Sequence, residues 1–119
     1  MTQLKEKDML NFKLKTPTEQ WFKDHNFRYH PIFSKFGEGN VYTYRFPVWK
    51  WQQFCTLEAE FMIWDSDGEV RVNVFDYNTR YRYAPWYQDK PMEYDNVCNM
   101  IGKRIKKEAQ DLGLIEVVT

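Results

Sequence analysis

The sequence CTLEAEFMIWDSDGEVRVNVF, residues 55–75, indicates the fold more clearly than any other stretch. Apolar and polar residues alternate on both sides of the central DSDG turn, which is typical of two half-buried strands joined as a β-hairpin. A four-residue loop pairs Phe61 with Val72, and a tighter turn pairs Ile63 with Val72. In both registers apolar residues face one another, so the pattern predicts a sheet with one buried face.

Two further strands are predicted before this hairpin. The apolar period is two from Phe27 onward, and a second alternating run follows the turn at residues 37–40. Antiparallel pairing of that run with the first hairpin strand sets Arg45 opposite Glu60, an opposite-charge pair that favours this register. Pro47 cannot donate a ladder hydrogen bond, which predicts a bulge or an edge there. The four strands together form an antiparallel meander.

The N-terminal segment is predicted to be helical. Thr16 can cap a short helix, Pro17 suits its first position, and the apolar pattern ends near His25. Residues 2–13 suggest another short helix with a few apolar anchors.

The C-terminal part of the chain is predicted to form a helix over residues 91–113. Its apolar side chains recur at three- and four-residue steps along one stripe: Tyr94, Val97, Cys98, Ile101, Ile105 and Leu112. Gly113 is a suitable C-terminal cap. Residues 114–118 form either a short last strand or a tail packed on the core.

These elements predict a single α+β domain over residues 1–119. The domain comprises a helical N-terminal segment (1–26), an antiparallel sheet of four or five strands (27–83) and a C-terminal helix (91–113) packed on one face of the sheet. A chain of 119 residues is long enough to bury a core of its own.

Composition narrows the class of protein. Aromatic residues make up 18% of the chain and hydrophobic residues 43%, while 17 basic and 17 acidic side chains give zero net charge. These values exclude disordered, collagen-like, coiled-coil and disulfide-scaffold proteins. Zero net charge also removes the usual argument for general nucleic-acid affinity.

The sequence predicts a cytoplasmic protein. No window of eighteen apolar residues occurs, so no membrane span is expected. Residues 1–15 are charged throughout and lack the apolar run of an export signal. Cys55 and Cys98 are expected to be reduced, buried thiols.

The densest candidate for function is the ring- and arginine-rich stretch over residues 75–87. Its candidate binding residues are Tyr77, Arg80, Tyr81, Arg82, Tyr83, Trp86 and Tyr87. Tyrosine, tryptophan and arginine are enriched in protein-interface hot spots, and rings with guanidinium planes also suit base stacking. Three alternatives remain for this stretch. It is a last strand and loop whose rings complete the core, it is a protein interface, or it is a surface that binds a nucleic acid or a small ligand.

A second candidate is the sheet face turned away from the C-terminal helix. Strict alternation places Trp49, Trp51, Trp64 and Phe75 on this outer face. So many large rings need a cover. The N-terminal segment, a second copy of the chain and a bound partner are the alternatives.

A third candidate is the basic run near the C-terminus. Lys103, Arg104, Lys106 and Lys107 could contact phosphate. Cations in this part of a helix also complement the helix dipole, which needs no ligand.

Catalytic and metal-binding patterns are poor. His25 and His30 have no cysteine or carboxylate at ligand spacing, and the DSDG turn lacks the remaining ligands of a calcium loop. Neither cysteine has the basic setting of a reactive thiolate. We therefore predict no catalytic residue, no metal and no cofactor.

The leading hypothesis is a small intracellular binding or adaptor protein that acts through its aromatic surface, with a protein partner or self-association. The first alternative is single-stranded nucleic-acid binding through the arginine–tyrosine strand at residues 80–83 and the basic helix face. The second is a small enzyme with an aromatic-walled site and a carboxylate from Glu58, Glu60 or Asp76.

Overall fold

The computed structural model describes residues 10–31, 39–51 and 55–117, and the side chains of residues 51, 55 and 94 are left out of the description. The strands in these ranges are β1 (Phe12–Lys13), β2 (Arg28–Tyr29), β3 (Val41–Trp51), β4 (Cys55–Trp64), β5 (Glu69–Asp76) and β6 (Ile115–Glu116). The helices are α1 (Glu19–Asp24), α2 (Pro91–Tyr94) and α3 (Asn96–Leu112), and a 3₁₀ turn covers Ala84–Tyr87.

The strands form one antiparallel sheet in the order β2-β3-β4-β5-β1-β6. The α+β class and the central meander from β2 to β5 are confirmed. The sheet has six described strands rather than four or five, because short strands from both chain ends join its β5 edge. The last of these, β6, is one of the two alternatives predicted for the C-terminal tail.

The helix predicted over residues 2–13 is wrong at its C-terminal end. Phe12 lies in β1, where it pairs with Val70 of β5 on one side and Glu116 of β6 on the other. Pairing with two distant strands outweighs the weak local helix pattern. Residues 1–9 of that prediction lie outside the described residues.

The central registers agree with the alternation of the sequence. Phe61 pairs with Val72, as expected for the four-residue loop. Arg45 pairs with Glu60, and the Arg45 Nε lies 3.0 Å from the Glu60 carboxylate. A register shifted by two residues would also keep the apolar residues on one face, and the four-residue loop and the Arg45–Glu60 charge pair favour the register observed.

A β-bulge interrupts β3 between Pro47 and Trp49. The extra residue is Val48, and Trp49 consequently pairs with Leu57, which is buried in the core. The prediction that Trp49 lies on the outer face is therefore wrong: its ring packs against the core. Pro47 indicated a bulge in the sequence. The sequence did not show that this bulge would turn the following residue, Trp49, toward the core.

Helix α1 begins later than predicted. Its N-cap is Thr18, whose hydroxyl accepts the Trp21 N–H at 3.2 Å, and not Thr16. Two threonines flank Pro17, and Thr18 has the extended backbone that a cap requires. The helix ends at its cap residue His25, as expected.

The predicted C-terminal helix is divided in two at Asp95. The Asp95 carboxylate accepts the N–H groups of Val97 and Cys98, so Asp95 caps α3 and ends α2. The other end of α3 agrees with expectation, since Gly113 adopts a left-handed φ of 82° as its C-cap.

Helix α3 covers one face of the sheet, here called the inner face, and the opposite one is the outer face. Phe61 of β4 and Ile101 and Ile105 of α3 are fully buried between these layers. The Tyr44 hydroxyl also donates to Glu108 of α3 at 2.7 Å. Helix α1 packs on the inner face as well, because its Phe22 ring stacks on Tyr42 at 4.0 Å.

Candidate functional site

The outer face of the sheet carries arginines from neighbouring strands. Arg45 of β3 and Arg71 of β5 alternate with core residues and therefore point away from α3. Arg28 of β2 pairs with β3 on this face, and Arg82 pairs with Phe75 through an isolated bridge. Arg80 lies beside Arg28 and Arg45 at one cavity. We call these residues the arginine face, which holds five of the six arginines of the chain: Arg28, Arg45, Arg71, Arg80 and Arg82.

Arginine side chains lie over the outer-face rings. The Arg45 guanidinium is 5.1 Å from the ring centroid of Phe75, and that of Arg71 is 5.3 Å from Trp64. These are cation–π distances. Both rings, which the sequence suggested would need a cover, thus lie beneath side chains of the same sheet face.

The same arrangement continues beyond the end of β5. Arg80 lies 5.2 Å from the centroid of Tyr77, and Arg82 lies 5.1 Å from that of Tyr87. Tyr77 and Tyr87 remain 47% and 40% exposed, so these pairs present both a ring and a guanidinium to solvent.

The turn that carries Tyr77 and Arg80 is held by Asp76. The Asp76 carboxylate accepts the N–H groups of Asn78 and Thr79, and its carbonyl accepts that of Arg80. Arg80 adopts a left-handed φ of 68°, which is unfavourable for an arginine. The turn is thus a rigid support for two exposed side chains.

An open cavity of about 710 Å³ lies on the arginine face. Arg28, Arg45 and Arg80 line it together with Glu58 and Tyr77. These residues come from three strands and the turn after β5, so the site exists only in the folded chain. Its volume lies in the range of protein ligand sites.

The charges of the arginine face are only partly compensated. Glu60 pairs with Arg45 and also accepts an amide N–H of Asn73. Within the described residues, Arg28 and Arg71 make no ion pair. The face therefore keeps a positive excess in which carboxylates are interspersed.

No protein-family model, curated protein or solved structure matches this chain.

The rings of the sequence-predicted binding set divide into two groups. Trp49, Tyr83 and Trp86 pack against the core, which is the structural alternative considered for the 75–87 stretch. Tyr81, in contrast, is 76% exposed. The side chain of Trp51 lies outside the description, although its backbone ends β3.

The basic run on α3 lies on the other side of the molecule. Lys103 and Lys107 are exposed on the helix surface that points away from the sheet, and Lys106 is half-buried beside them. Arg104 pairs with Glu108 at 2.7 Å and lies over the inner-face ring of Phe46. The helix cations and the arginine face therefore do not form one surface.

Three residues of the arginine face, Arg28, Arg45 and Arg71, were not among the binding candidates predicted from the sequence. Arg45 and Arg71 could have been found, because alternation already put them on the outer face. The period of two from Phe27 also put Arg28 on the polar face of its strand, but its approach to the others depends on the pairing of β2 with β3.

Cys98 and two of the carboxylates considered for catalysis are buried or engaged in structural contacts. Burial, with a smaller effect of Asp95, raises the pKa of the Cys98 thiol to about 11, so it stays protonated at neutral pH. Among the three carboxylates of the enzyme hypothesis, Glu60 engages Arg45 and Asp76 holds its turn. In the described part of the chain, no group of three metal-ligating side chains occurs.

Helix α3 is the longest described helix, and it carries charged residues along its exposed side. No helix within residues 10–31, 39–51 and 55–117 is long and apolar enough to cross a membrane.

Proposed function

We propose that this protein is a binding module that captures an acidic segment of a partner protein on the arginine face. The observation that carries the proposal is the gathering of five of six arginines on one sheet face. Four of them are stacked on rings, which restrains a side chain that otherwise loses much rotamer freedom on binding.

A protein partner is favoured over a nucleic acid by the carboxylates on the same face. Glu58 lines the cavity, and Glu60 lies beside it on β4. A nucleic acid carries a phosphate at every nucleotide and would be repelled at these positions, whereas a protein can carry a cation beside its acidic segment and place it opposite them. Arginine, tyrosine and tryptophan side by side are also typical of protein-interface hot spots.

The test compares two variants that remove equal charge from opposite sides of the molecule. The double variant Arg28→Gln/Arg80→Gln alters the cavity, and Lys103→Gln/Lys107→Gln alters the exposed side of α3. The probe is a fluorescein-labelled ten-residue polyglutamate peptide, followed by fluorescence anisotropy at low salt. We expect the arginine variant to weaken binding about tenfold, which corresponds to about 1.4 kcal/mol.

The lysine variant is expected to bind like the parent protein. Equal loss in both variants would mean that net charge alone attracts the peptide, and the proposal would fail. Circular dichroism of each variant controls for folding.

Single-stranded nucleic acid is the second candidate, and the exposed Arg80–Tyr77 and Arg82–Tyr87 pairs favour it. Aromatic rings flanked by arginines can stack successive bases. A labelled twenty-nucleotide oligouridylate is the probe. Binding tighter than that of polyglutamate, with a steep loss as salt rises, would favour the nucleic acid.

A further inference from the structure

Arg28, Arg45 and Glu58 form a diagonal row across the outer face of the sheet. Arg28 of β2 pairs with Thr43, and Arg45 lies two residues further along β3. Arg45 pairs in turn with Glu60, and Glu58 lies two residues further in the same direction on β4. Diagonal neighbours of this kind are about 7–8 Å apart. Each step of the row therefore crosses to the next strand over a similar distance.

The row continues to the turn after β5. The Tyr77 N–H donates to the Thr56 carbonyl at 3.0 Å, which extends the β4–β5 register one residue beyond Asp76. Tyr77 is therefore the next diagonal neighbour of Glu58, and the Arg80 guanidinium lies 5.2 Å from the Tyr77 ring centroid. The whole row lines the open cavity of about 710 Å³.

The charges along the row are positive at Arg28 and Arg45, negative at Glu58 and positive again at Arg80. Glu58 is the only acid among the described residues that line the cavity, and it is half-buried. It makes no ion pair within the described part of the chain, although arginines lie on both sides of it. Arg45 binds Glu60 instead, at 3.0 Å. The Glu58 carboxylate is thus available to a cation of the ligand.

We infer that this row reads the order of charges in the bound segment, with Glu58 binding a lysine or arginine that stands between two acidic residues. The acidic residues on either side of that cation bind Arg45 and Arg80. The inference rests on the proposed function, because it concerns the same site and the same class of partner. It adds that the partner is recognised by a charge pattern and not by acidity alone.

An extended peptide has the spacing that the row requires. Alternate side chains of a strand point to one side and are about 6.6 Å apart, close to the length of one diagonal step. The recognised sequence is therefore acidic-x-basic-x-acidic, in which each x points away from the sheet. One more acidic residue, two positions beyond the one at Arg45, would meet Arg28.

The test uses two peptides that differ only in the central residue. They are acetyl-Glu-Ser-Lys-Ser-Glu-amide and acetyl-Glu-Ser-Gln-Ser-Glu-amide, and each is symmetric in residue order, so the direction of binding does not affect the comparison. Chemical-shift titration by NMR on the full chain gives both dissociation constants. We expect the lysine peptide to bind about threefold more tightly, as for one added charge pair at a partly exposed site.

General attraction to a positive face predicts the opposite order, because lysine lowers the negative charge of the peptide. Equal affinity of the two peptides, tighter binding of the glutamine peptide, or no binding of either would overturn the inference.

The variant Glu58→Gln removes the residue that reads the cation. In this variant the preference for the lysine peptide should disappear or reverse, while polyglutamate binds at least as tightly as to the parent protein. The matched control is Asp111→Asn, which removes one acidic charge from an exposed site on α3 and should keep the threefold preference. A preference that persists in Glu58→Gln would overturn the assignment of Glu58.

The variant Arg28→Gln/Arg80→Gln separates this inference from the proposed function. If it weakens polyglutamate binding while the parent protein binds both short peptides alike, the proposed function stands and the charge order fails. A lysine preference that depends on Glu58, with no effect of the double variant on polyglutamate, would keep the row as a site and remove the proposed function.

Discussion

The guanidinium of Arg80 lies 5.2 Å from the ring centroid of Tyr77, three residues earlier in the same turn. Arg80 reaches this position with a left-handed φ of 68°. Glycine or asparagine would occupy such a site at less cost. An arginine in this conformation, at the edge of a cavity lined by two other arginines, supports the proposed binding role of its side chain.

Replacement Arg80→Asn should separate stability from binding. Asparagine adopts the left-handed backbone at less cost than arginine, which stabilises the fold by about 1 kcal/mol. This gain offsets the loss of the cation–π contact with Tyr77, which contributes about 0.5–1 kcal/mol. We expect the free energy of unfolding in urea to be unchanged or slightly higher, while polyglutamate binding weakens. Arg80→Ala is the control that loses the contact without relief. Equal destabilisation by both variants would contradict the backbone argument.

Replacement Gly68→Ala should be strongly destabilising. Gly68 has a φ of 75°, and an added Cβ would lie 2.0 Å from the Leu14 carbonyl oxygen in the neighbouring chain segment. We expect a loss of about 2–4 kcal/mol in the free energy of unfolding. Gly113→Ala is the matched control, because Gly113 has a φ of 82° and nothing within 4 Å of such a Cβ. It should lose only about 1 kcal/mol.

Replacement Trp49→Ala tests the β-bulge. If the bulge turns Trp49 to the core, the variant should lose about 2–4 kcal/mol of stability. Tyr81→Ala removes an aromatic ring that is 76% exposed, and it should change stability by less than about 0.5 kcal/mol. Thermal unfolding measures both. Similar small effects would mean that Trp49 lies on the outer face, as strict alternation predicts.

The Tyr44–Glu108 hydrogen bond predicts loss of stability at high pH. Burial, and then the Glu108 carboxylate, raise the pKa of Tyr44 to about 12 from its ordinary value of about 10. A raised pKa means that the neutral phenol stabilises the fold fully below pH 10. This contribution is lost as the pH rises from 10 through about 12.

Tyr44→Phe isolates this effect from lysine and cysteine titration. The variant should be less stable than the parent at pH 8, and the difference should shrink above pH 10. Urea unfolding at several pH values measures it. A difference that stays constant up to pH 12 would show that the phenol does not titrate with folding.

Local signals explain why much of the fold was predictable. The hairpin at residues 55–75 combines a period of two with a four-residue turn, so the Phe61–Val72 pair follows from neighbours in sequence. Strand β1 had no such signal. Its two residues are held by hydrogen bonds from β5 and β6, which lie far away along the chain.

Competing local signals account for the errors at element ends. Thr16 and Thr18 are both able to cap α1, and only the backbone around Pro17 selects the second. Asp95 is a strong cap within an apolar helical stripe, so it divides that stripe in two. Pro47 located the bulge, but the new direction of Trp49 depends on its pairing with Leu57.

The amino-acid pattern was enough for the class, the meander and the outward direction of Arg45 and Arg71, because periodicity is a property of each strand alone. Long-range packing was needed to bring Arg28 and Arg80 to one cavity. This arrangement depends on how separate segments meet at the sheet. That is settled by burial and backbone hydrogen bonding across the whole chain, and no local pattern encodes it.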